Sequence, residues 1–365
     1  MAVFPSHEFK FMLTVIALLI LLSSVAGCKT KPEETAVFWV VAGTNRGESF
    51  FRNSLGGYDA HGQLVVKKQL PPYHISSIAQ DSRGRLWLGQ AWNDSDSSNL
   101  LLVWKNGQLV KEIPVGEQPE SGLVEFNDAI IAGCTEAGMG FSLWATDIET
   151  LQSQEVVKVE KEQHSFLFLT TIAATEDFLV AAAIHDGLGN SNSSHTSIWW
   201  YDSEFTLAGS MYLGPDTAVW SMVPMEDGNI LLLNNSGFVQ KQPDLLVFDP
   251  RQGEIVKKIQ GSGFSFRGVA DAGKIYILDR IWSSTRINAK RCVTVLQGET
   301  TTAIPLPDGL GAEDIAVAEG IIYLAVWQRG SASGDGIYAL APKTGELTQI
   351  IEHQDASSIL IPRQR

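Results

Sequence analysis

The sequence predicts an all-β fold, a seven-bladed β-propeller closed by its C-terminal strand, and three observations carry that prediction. First, one pattern recurs seven times: a short polar pair, an apolar anchor, a tight Asp/Gly/Asn-type turn, then a run such as Leu86-Trp87-Leu88. The anchors are Ile78, Leu123, Ile172, Met222, Val269, Ile315 and Ile359, spaced 44–50 residues apart. A period in the forties built from short strands is that of a four-stranded blade. Second, the repeats run from Val37 onward without a linker or low-complexity break. Length alone suggests two domains, but a continuous array overrides it. Third, the two ends fit each other. Phe38-Trp39-Val40-Val41 aligns with Leu86-Trp87-Leu88, a second strand, and the segment Lys29 to Glu34 is too polar to be the inner strand before it. Ser357-Ser358-Ile359-Leu360-Ile361 reads as an inner strand with no blade after it. Pairing the two closes the ring, removes open sheet edges and couples the ends of an otherwise nearest-neighbour structure.

From the N-terminus, residues 1–27 read as a signal peptide. The apolar stretch Phe11 to Ala26 follows Lys10 and ends in Val25-Ala26-Gly27-Cys28. It is shorter than the about 20 residues of a spanning helix and closes on small residues. The tetrapeptide resembles the lipobox of bacterial lipoprotein precursors, which implies cleavage before Cys28 and lipidation of its thiol. With Lys29 next, where an aspartate would resemble an inner-membrane retention signal, the anchor is expected outside the cytoplasm. In a two-membrane bacterium that means the periplasmic face of the outer membrane; otherwise it means the outer leaflet of the cell membrane. Residues 28–36 form the lipidated cysteine and a polar tether, and residues 37–365 the propeller domain.

The second repeat shows how the strands are placed. Ser76 to Ala79 is the inner strand A, Leu86 to Gly89 strand B, Leu101 to Trp104 strand C and Leu109 to Pro114 strand D. Arg83-Gly84 turns A into B. Asn106-Gly107, where both positions accept positive φ, turns C into D. The fifth and seventh repeats echo this with Gln252-Gly253-Glu254 and Thr344-Gly345-Glu346. Asp81-Ser82-Arg83-Gly84-Arg85-Leu86-Trp87-Leu88-Gly89 resembles the sensor-propeller repeat found outside two-component regulators. Ile337-Tyr338-Ala339-Leu340-Ala341-Pro342-Lys343-Thr344-Gly345-Glu346 is similar to the YVTN/quinoprotein-like repeat, which also occurs in the non-enzymatic lipoprotein propeller of outer-membrane protein assembly. The docking tryptophan of the quinoprotein pattern is absent after Leu347, and no cofactor is expected.

The formal net charge is −14, and loss of residues 1–27 removes one Lys and one Glu, leaving it unchanged. So acidic a surface lacks the clustered cations that a phosphate backbone requires, which argues against nucleic acid. Beyond Cys28, Cys134 falls in the third repeat and Cys292 in the sixth. They are too far apart around a ring to form a disulfide, and read as small buried hydrophobes. There is no His-Glu-x-x-His, no Gly-x-Ser-x-Gly and no phosphate-cradling glycine loop.

Strand order puts the short A–B and C–D turns on one face. The D–A connections and the long B–C loops, among them His185 to Thr196 and Trp282 to Lys290, share the other. Long irregular loops are where binding residues gather, so the functional surface is expected there. At that face the residues two before each anchor are Ser76, Ser121, Thr170, Trp220, Arg267, Glu313 and Ser357. Those one before are Ser77, Gly122, Thr171, Ser221, Gly268, Asp314 and Ser358. Arg267, Glu313, Asp314 and Trp220 stand out from this small polar ring, and with Ser76 they make the candidate ligand-binding mouth. Arg267 and the Glu313-Asp314 pair read either as an inter-blade ion pair or as an arginine holding an anion or sugar-like ligand that the carboxylates orient. Trp92, Trp282, Trp327, Phe50, Phe51 and Phe238 lie near the rim as core or contact residues. His185, Asp186 and His195 place three donors on one loop, read as surface polarity rather than a metal site. The expectation is a monomeric binding propeller that recognises an envelope protein or a small polar ligand. The alternative is a metal-dependent hydrolase or lactonase similar to the gluconolactonase-type propellers, with Glu120, Glu313 and Asp314 holding the ion in the channel.

Overall fold

The computed structural model describes residues 36–360 apart from 37, 43–53, 60–61, 71–73, 92–98, 120, 137–139, 161–164, 188–193, 216, 235–243, 282–289, 327–333 and 353–355. The described residues form 28 strands in seven four-stranded antiparallel sheets. Blade 1 takes β1 (Phe38–Ala42), β2 (Ser54–Tyr58) and β3 (Leu64–Gln69). Blade 2 takes β4 (His74–Gln80), β5 (Leu86–Ala91), β6 (Leu100–Lys105) and β7 (Gln108–Pro114). Blade 3 takes β8 (Leu123–Phe126), β9 (Ala129–Glu136), β10 (Gly140–Asp147) and β11 (Ser153–Glu160). Blade 4 takes β12 (Ser165–Ala174), β13 (Leu179–Gly187), β14 (Ser194–Tyr201) and β15 (Leu207–Pro215). Blade 5 takes β16 (Val219–Pro224), β17 (Ile230–Asn234), β18 (Asp244–Asp249) and β19 (Glu254–Gln260). Blade 6 takes β20 (Phe264–Asp271), β21 (Lys274–Ile281), β22 (Lys290–Gln297) and β23 (Thr300–Pro305). Blade 7 takes β24 (Ala312–Ala318), β25 (Ile321–Val326), β26 (Gly336–Leu340) and β27 (Leu347–Glu352), and β28 (Ala356–Leu360) returns to blade 1. Among the described residues no helix is long and apolar enough to cross a membrane.

Closure occurs as the ends of the sequence foretell. β28 pairs antiparallel with β1, Ile359 opposite Val40 and Leu360 opposite Trp39. On its flanks it packs beside β24 and β4, which completes the ring of inner strands. Inner strands descend from the mouth to the A–B turns, and second strands climb back. β1 therefore starts, and β28 ends, on the face opposite the mouth.

The core is a set of apolar layers between blades. Successive side chains of a strand point to opposite faces, so each strand serves two layers. Phe38, Val40 and Ala42 pack against Ala316, Ala325 and Ile337 of blade 7. Their neighbours Trp39 and Val41 pack against Ile75, Leu86 and Leu88 of blade 2. The other five gaps hold equivalent clusters. Each buried aliphatic side chain contributes roughly 1.5–3 kcal/mol, and no single layer dominates.

A polar cluster fixes one A–B turn. Asp81 accepts hydrogen bonds from Arg83 N at 3.0 Å, Arg85 N at 2.8 Å, Arg85 Nε at 2.6 Å and Trp87 Nε1 at 2.9 Å. Arg85 also donates through Nη2 to Ile148 O of blade 3. The stretch resembling a sensor-propeller repeat is thus a buried ion pair that ties blade 2 to blade 3.

One element departs from the sequence alignment. In blades 2, 4, 5 and 7 the inner strand bulges by one residue, two places before the anchor; the extra residues are Ser76, Thr170, Trp220 and Glu313. In blade 6 the bulged residue is Phe266, so the counterpart of the anchors is Gly268, opposite Ile277, and not Val269. The reason is steric. A Cβ on Gly268 would meet Val223 Cγ2 at 2.8 Å and Leu233 Cδ1 at 2.9 Å, because blade 5 already fills that space. Val269 points the other way and packs against the layer between blades 6 and 7.

Candidate functional site

Above the anchors the channel widens into a cavity of about 420 Å³. Ser76, Trp220, Arg267 and Asp314 all line it, from blades 2, 5, 6 and 7. Glu313 does not. As the bulged residue Glu313 turns to Arg291, accepting from its Nη2 at 3.2 Å. Arg291, which the sequence reading did not single out, lies 5.8 Å over the Phe266 ring. The carboxylates of Glu313 and Asp314 therefore do not converge as a metal-binding pair would require. Glu120 and Cys28 lie outside the described residues, as do most B–C loop residues, including Trp92, Trp282, Trp327, Phe50, Phe51 and Phe238.

The two sides of the mouth differ in the residue two places before the anchor. In blades 2 to 4 it carries a hydroxyl that reaches a carbonyl of the following blade. Ser76 Oγ lies 3.2 Å from Pro119 O, Ser121 Oγ 2.7 Å from Leu169 O and Thr170 Oγ1 2.6 Å from Val219 O. These hydroxyls act as staples between blades, and a hydroxyl has only one proton to donate. Blades 5 to 7 carry Trp220, Phe266 and Glu313 at the same position, and no such staple joins them among the described residues.

On that second side, side chains stand out into the cavity. Trp220 is 41% exposed. Arg267 is half-exposed, and among the described residues its charged contact is Nε to Asp314 Oδ1 at 3.9 Å, an ion pair too long for a hydrogen bond. Asp314 is held in place from below: Oδ1 accepts Ile315 N at 3.0 Å and Oδ2 accepts Ile359 N, from the closing strand, at 3.0 Å. Arg267 and Asp314 meet because, in the corrected register, both follow a bulge on consecutive blades. A second cavity of about 670 Å³ lies beneath, lined by Met222, Val223, Val269, Ile315 and Val317, and it shares Gly268 and Ile359 with the mouth.

Away from the channel, the histidines sit on strands rather than on a loop, since β13 and β14 run on to pair His185 with His195. His185 Nε2 lies 3.0 Å from Ser197 Oγ, and His195 Nδ1 2.9 Å from Tyr212 OH. Among the described residues no group of three His, Cys, Asp or Glu is placed to hold a metal ion. Asp279 is buried in blade 6, where burial raises its carboxyl to about 6 against the opposing hydrogen bonds of Ser265 and Thr294. Cys134 and Cys292 are buried. Burial lifts the Cys292 thiol to about 11 and Cys134 further still, so neither supplies a thiolate nucleophile near neutral pH.

Comparison with known proteins supports the architecture. Residues 69–90 match the two component regulator propeller repeat, over the stretch that contains the Asp81 cluster. No curated protein sequence matches the chain. A protein of Bacteroides fragilis provisionally assigned as a 6-phosphogluconolactonase superposes with a TM-score of 0.61 at 13% identity, over 90% of this chain and 98% of its own. A protein of Bacteroides uniformis with the same provisional assignment gives 0.59 at 12% identity, over 89% and 99%. The β-propeller domain of the Trilobed protease from Pyrococcus furiosus gives 0.56 at 12% identity, over 88% and 96%. That domain has an open velcro topology, whereas here β28 closes blade 1. At such identities the likeness is one of fold.

Proposed function

We propose that this chain is a membrane-anchored, extracytoplasmic propeller that binds an envelope protein or a small polar ligand through the mouth of its channel. A lipid on Cys28 and a tether over residues 28–36 would hold it to the membrane. One observation carries the reading: Trp220, Arg267 and Asp314, from three consecutive blades, converge on one cavity of about 420 Å³. A volume in the hundreds of Å³ with a few polar groups aimed inward is the usual form of a small-ligand site. Exposed aromatic and arginine side chains are also the residue types that dominate binding energy at protein contacts. The test is a photoreactive amino acid in place of Trp220, activated in the native envelope. Adducts are expected with Arg267 intact and lost with Arg267→Glu, while the same probe at exposed Val256 on β19 yields none. Adducts that persist unchanged with Arg267→Glu would overturn the reading.

A further inference from the structure

We propose that the ligand of the mouth is an anionic sugar, a polyhydroxylated ring bearing one carboxylate or phosphate; this rests on the reading of the mouth as the binding surface. Three walls of the cavity specify it. The first is Arg267, whose guanidinium is half-exposed to the cavity and among the described residues makes no hydrogen bond, only the 3.9 Å ion pair to Asp314. A guanidinium in that condition has donors to offer an oxyanion, in the paired geometry that favours carboxylate and phosphate. Asp314 leaves those donors unused, because it stands 3.9 Å away, beyond hydrogen-bond distance, held there by backbone N–H groups from Ile315 and Ile359.

The second wall is Trp220 on the adjoining blade. It occupies the position two before the anchor, which a serine or threonine fills in blades 2 to 4, and 41% of its surface is exposed. An indole displayed in a polar cavity offers a flat apolar face for a ring. The third wall is the staple side. Ser76, Ser121 and Thr170 direct their single protons at backbone carbonyls, so the lone pairs that remain on their oxygens act as acceptors. A ligand that satisfies this wall brings O–H donors. An oxyanion at one end, a ring face in the middle and hydroxyls at the other end describe an acidic monosaccharide. They do not describe a neutral hydrocarbon or an inorganic anion.

The experiment is titration calorimetry on the full chain in detergent with glucuronate, glucose 6-phosphate, glucose and inorganic phosphate. One or both sugar anions are expected to bind at least about tenfold more tightly than glucose, the effect of one charge-assisted contact. The preferred member of the pair distinguishes a carboxylate source from a phosphate source. Arg267→Gln is expected to abolish the preference over glucose, and Trp220→Ala to weaken the sugars while leaving inorganic phosphate unaffected. Glucose binding as tightly as both anions would overturn the proposal. So would a preference that survives Arg267→Gln, or phosphate alone matching the sugar phosphate. If no sugar anion binds while photo-adducts at position 220 still depend on Arg267, the ligand class is wrong and the mouth reading stands. If those adducts also fail, both fall.

Discussion

Blades 2 to 4 and blades 5 to 7 build their shares of the mouth on the same inner strand, yet put the residue two places before the anchor to different use. On the first side it is Ser76, Ser121 or Thr170, and its hydroxyl crosses to the next blade's backbone. On the second side it is Trp220, Phe266 or Glu313, too large or wrongly shaped for that bond, and the wall presents an indole, a guanidinium and a carboxylate instead. The same contrast extends into the interior. Asp81 in blade 2 is buried against Arg85 and accepts four hydrogen bonds. Asp279 in blade 6 is buried with two hydroxyls and, among the described residues, no cation. Blades 2 to 4 carry the hydroxyl staples, and blades 5 to 7 present Trp220, Arg267 and Asp314 to the cavity. A propeller can thus assign fixation and recognition to different arcs while every blade keeps one backbone plan.

The contrast can be broken by experiment, and the largest effect is expected at the buried ion pair. Asp81→Ala leaves Arg85 buried without its partner and should cost about 3–5 kcal/mol in urea unfolding. Arg267→Ala, half-exposed and outside the apolar layers, should change stability by no more than about 0.5 kcal/mol. Equal losses at the two sites would erase the distinction between the arcs. Next is Asp279→Asn. Because burial raises the folded carboxyl to about 6, the folded chain keeps a proton that the unfolded chain releases near pH 4. The group's stabilising contribution is present at low pH and is lost as pH rises through about 6. Wild-type stability should therefore fall relative to Asp279→Asn between pH 4 and 6, by on the order of 2–3 kcal/mol, and run parallel to it above. Thermal unfolding across that range checks the sign.

Smaller effects sharpen the comparison. Gly268→Ala should cost about 1–3 kcal/mol by forcing a methyl against Val223 and Leu233, whereas Val269→Ala should cost less than a true anchor such as Ile315→Ala. Thr170→Val keeps the shape and deletes one staple, with an expected loss of about 1–1.5 kcal/mol in the same unfolding assay. Trp220→Ala should leave that assay nearly unchanged. A Trp220 variant as destabilised as the Thr170 one would mean that the indole belongs to the framework.

The wheel itself was legible in the sequence because a period in the forties and two complementary ends are one-dimensional signals. The register of blade 6 was not. A polar pair followed by an apolar residue fits Val269 as well as Gly268, and only the bulge at Phe266, set by packing against blade 5, decides between them. That slip placed Arg267 level with Glu313 when its true counterpart is Asp314. The divergence of Glu313 from Asp314 was not legible either: at the same bulge Ser76 and Ser77, or Trp220 and Ser221, both line the cavity, and Glu313 differs by bonding to Arg291. The staples were invisible for another reason. Ser121 and Thr170 bond to carbonyls 48 and 49 residues away, and nothing in a serine or threonine announces its acceptor. His185 and His195 read as loop residues because their surroundings are polar, whereas strand pairing carries β13 and β14 out to both.

Phe38 and Leu360, the latter paired with Trp39, are where the described chain enters and leaves its first sheet, at the pole opposite the mouth. The lead-in to β1 and the exit from β28 therefore start on the side away from the mouth, and an attachment made there need not cross the cavity.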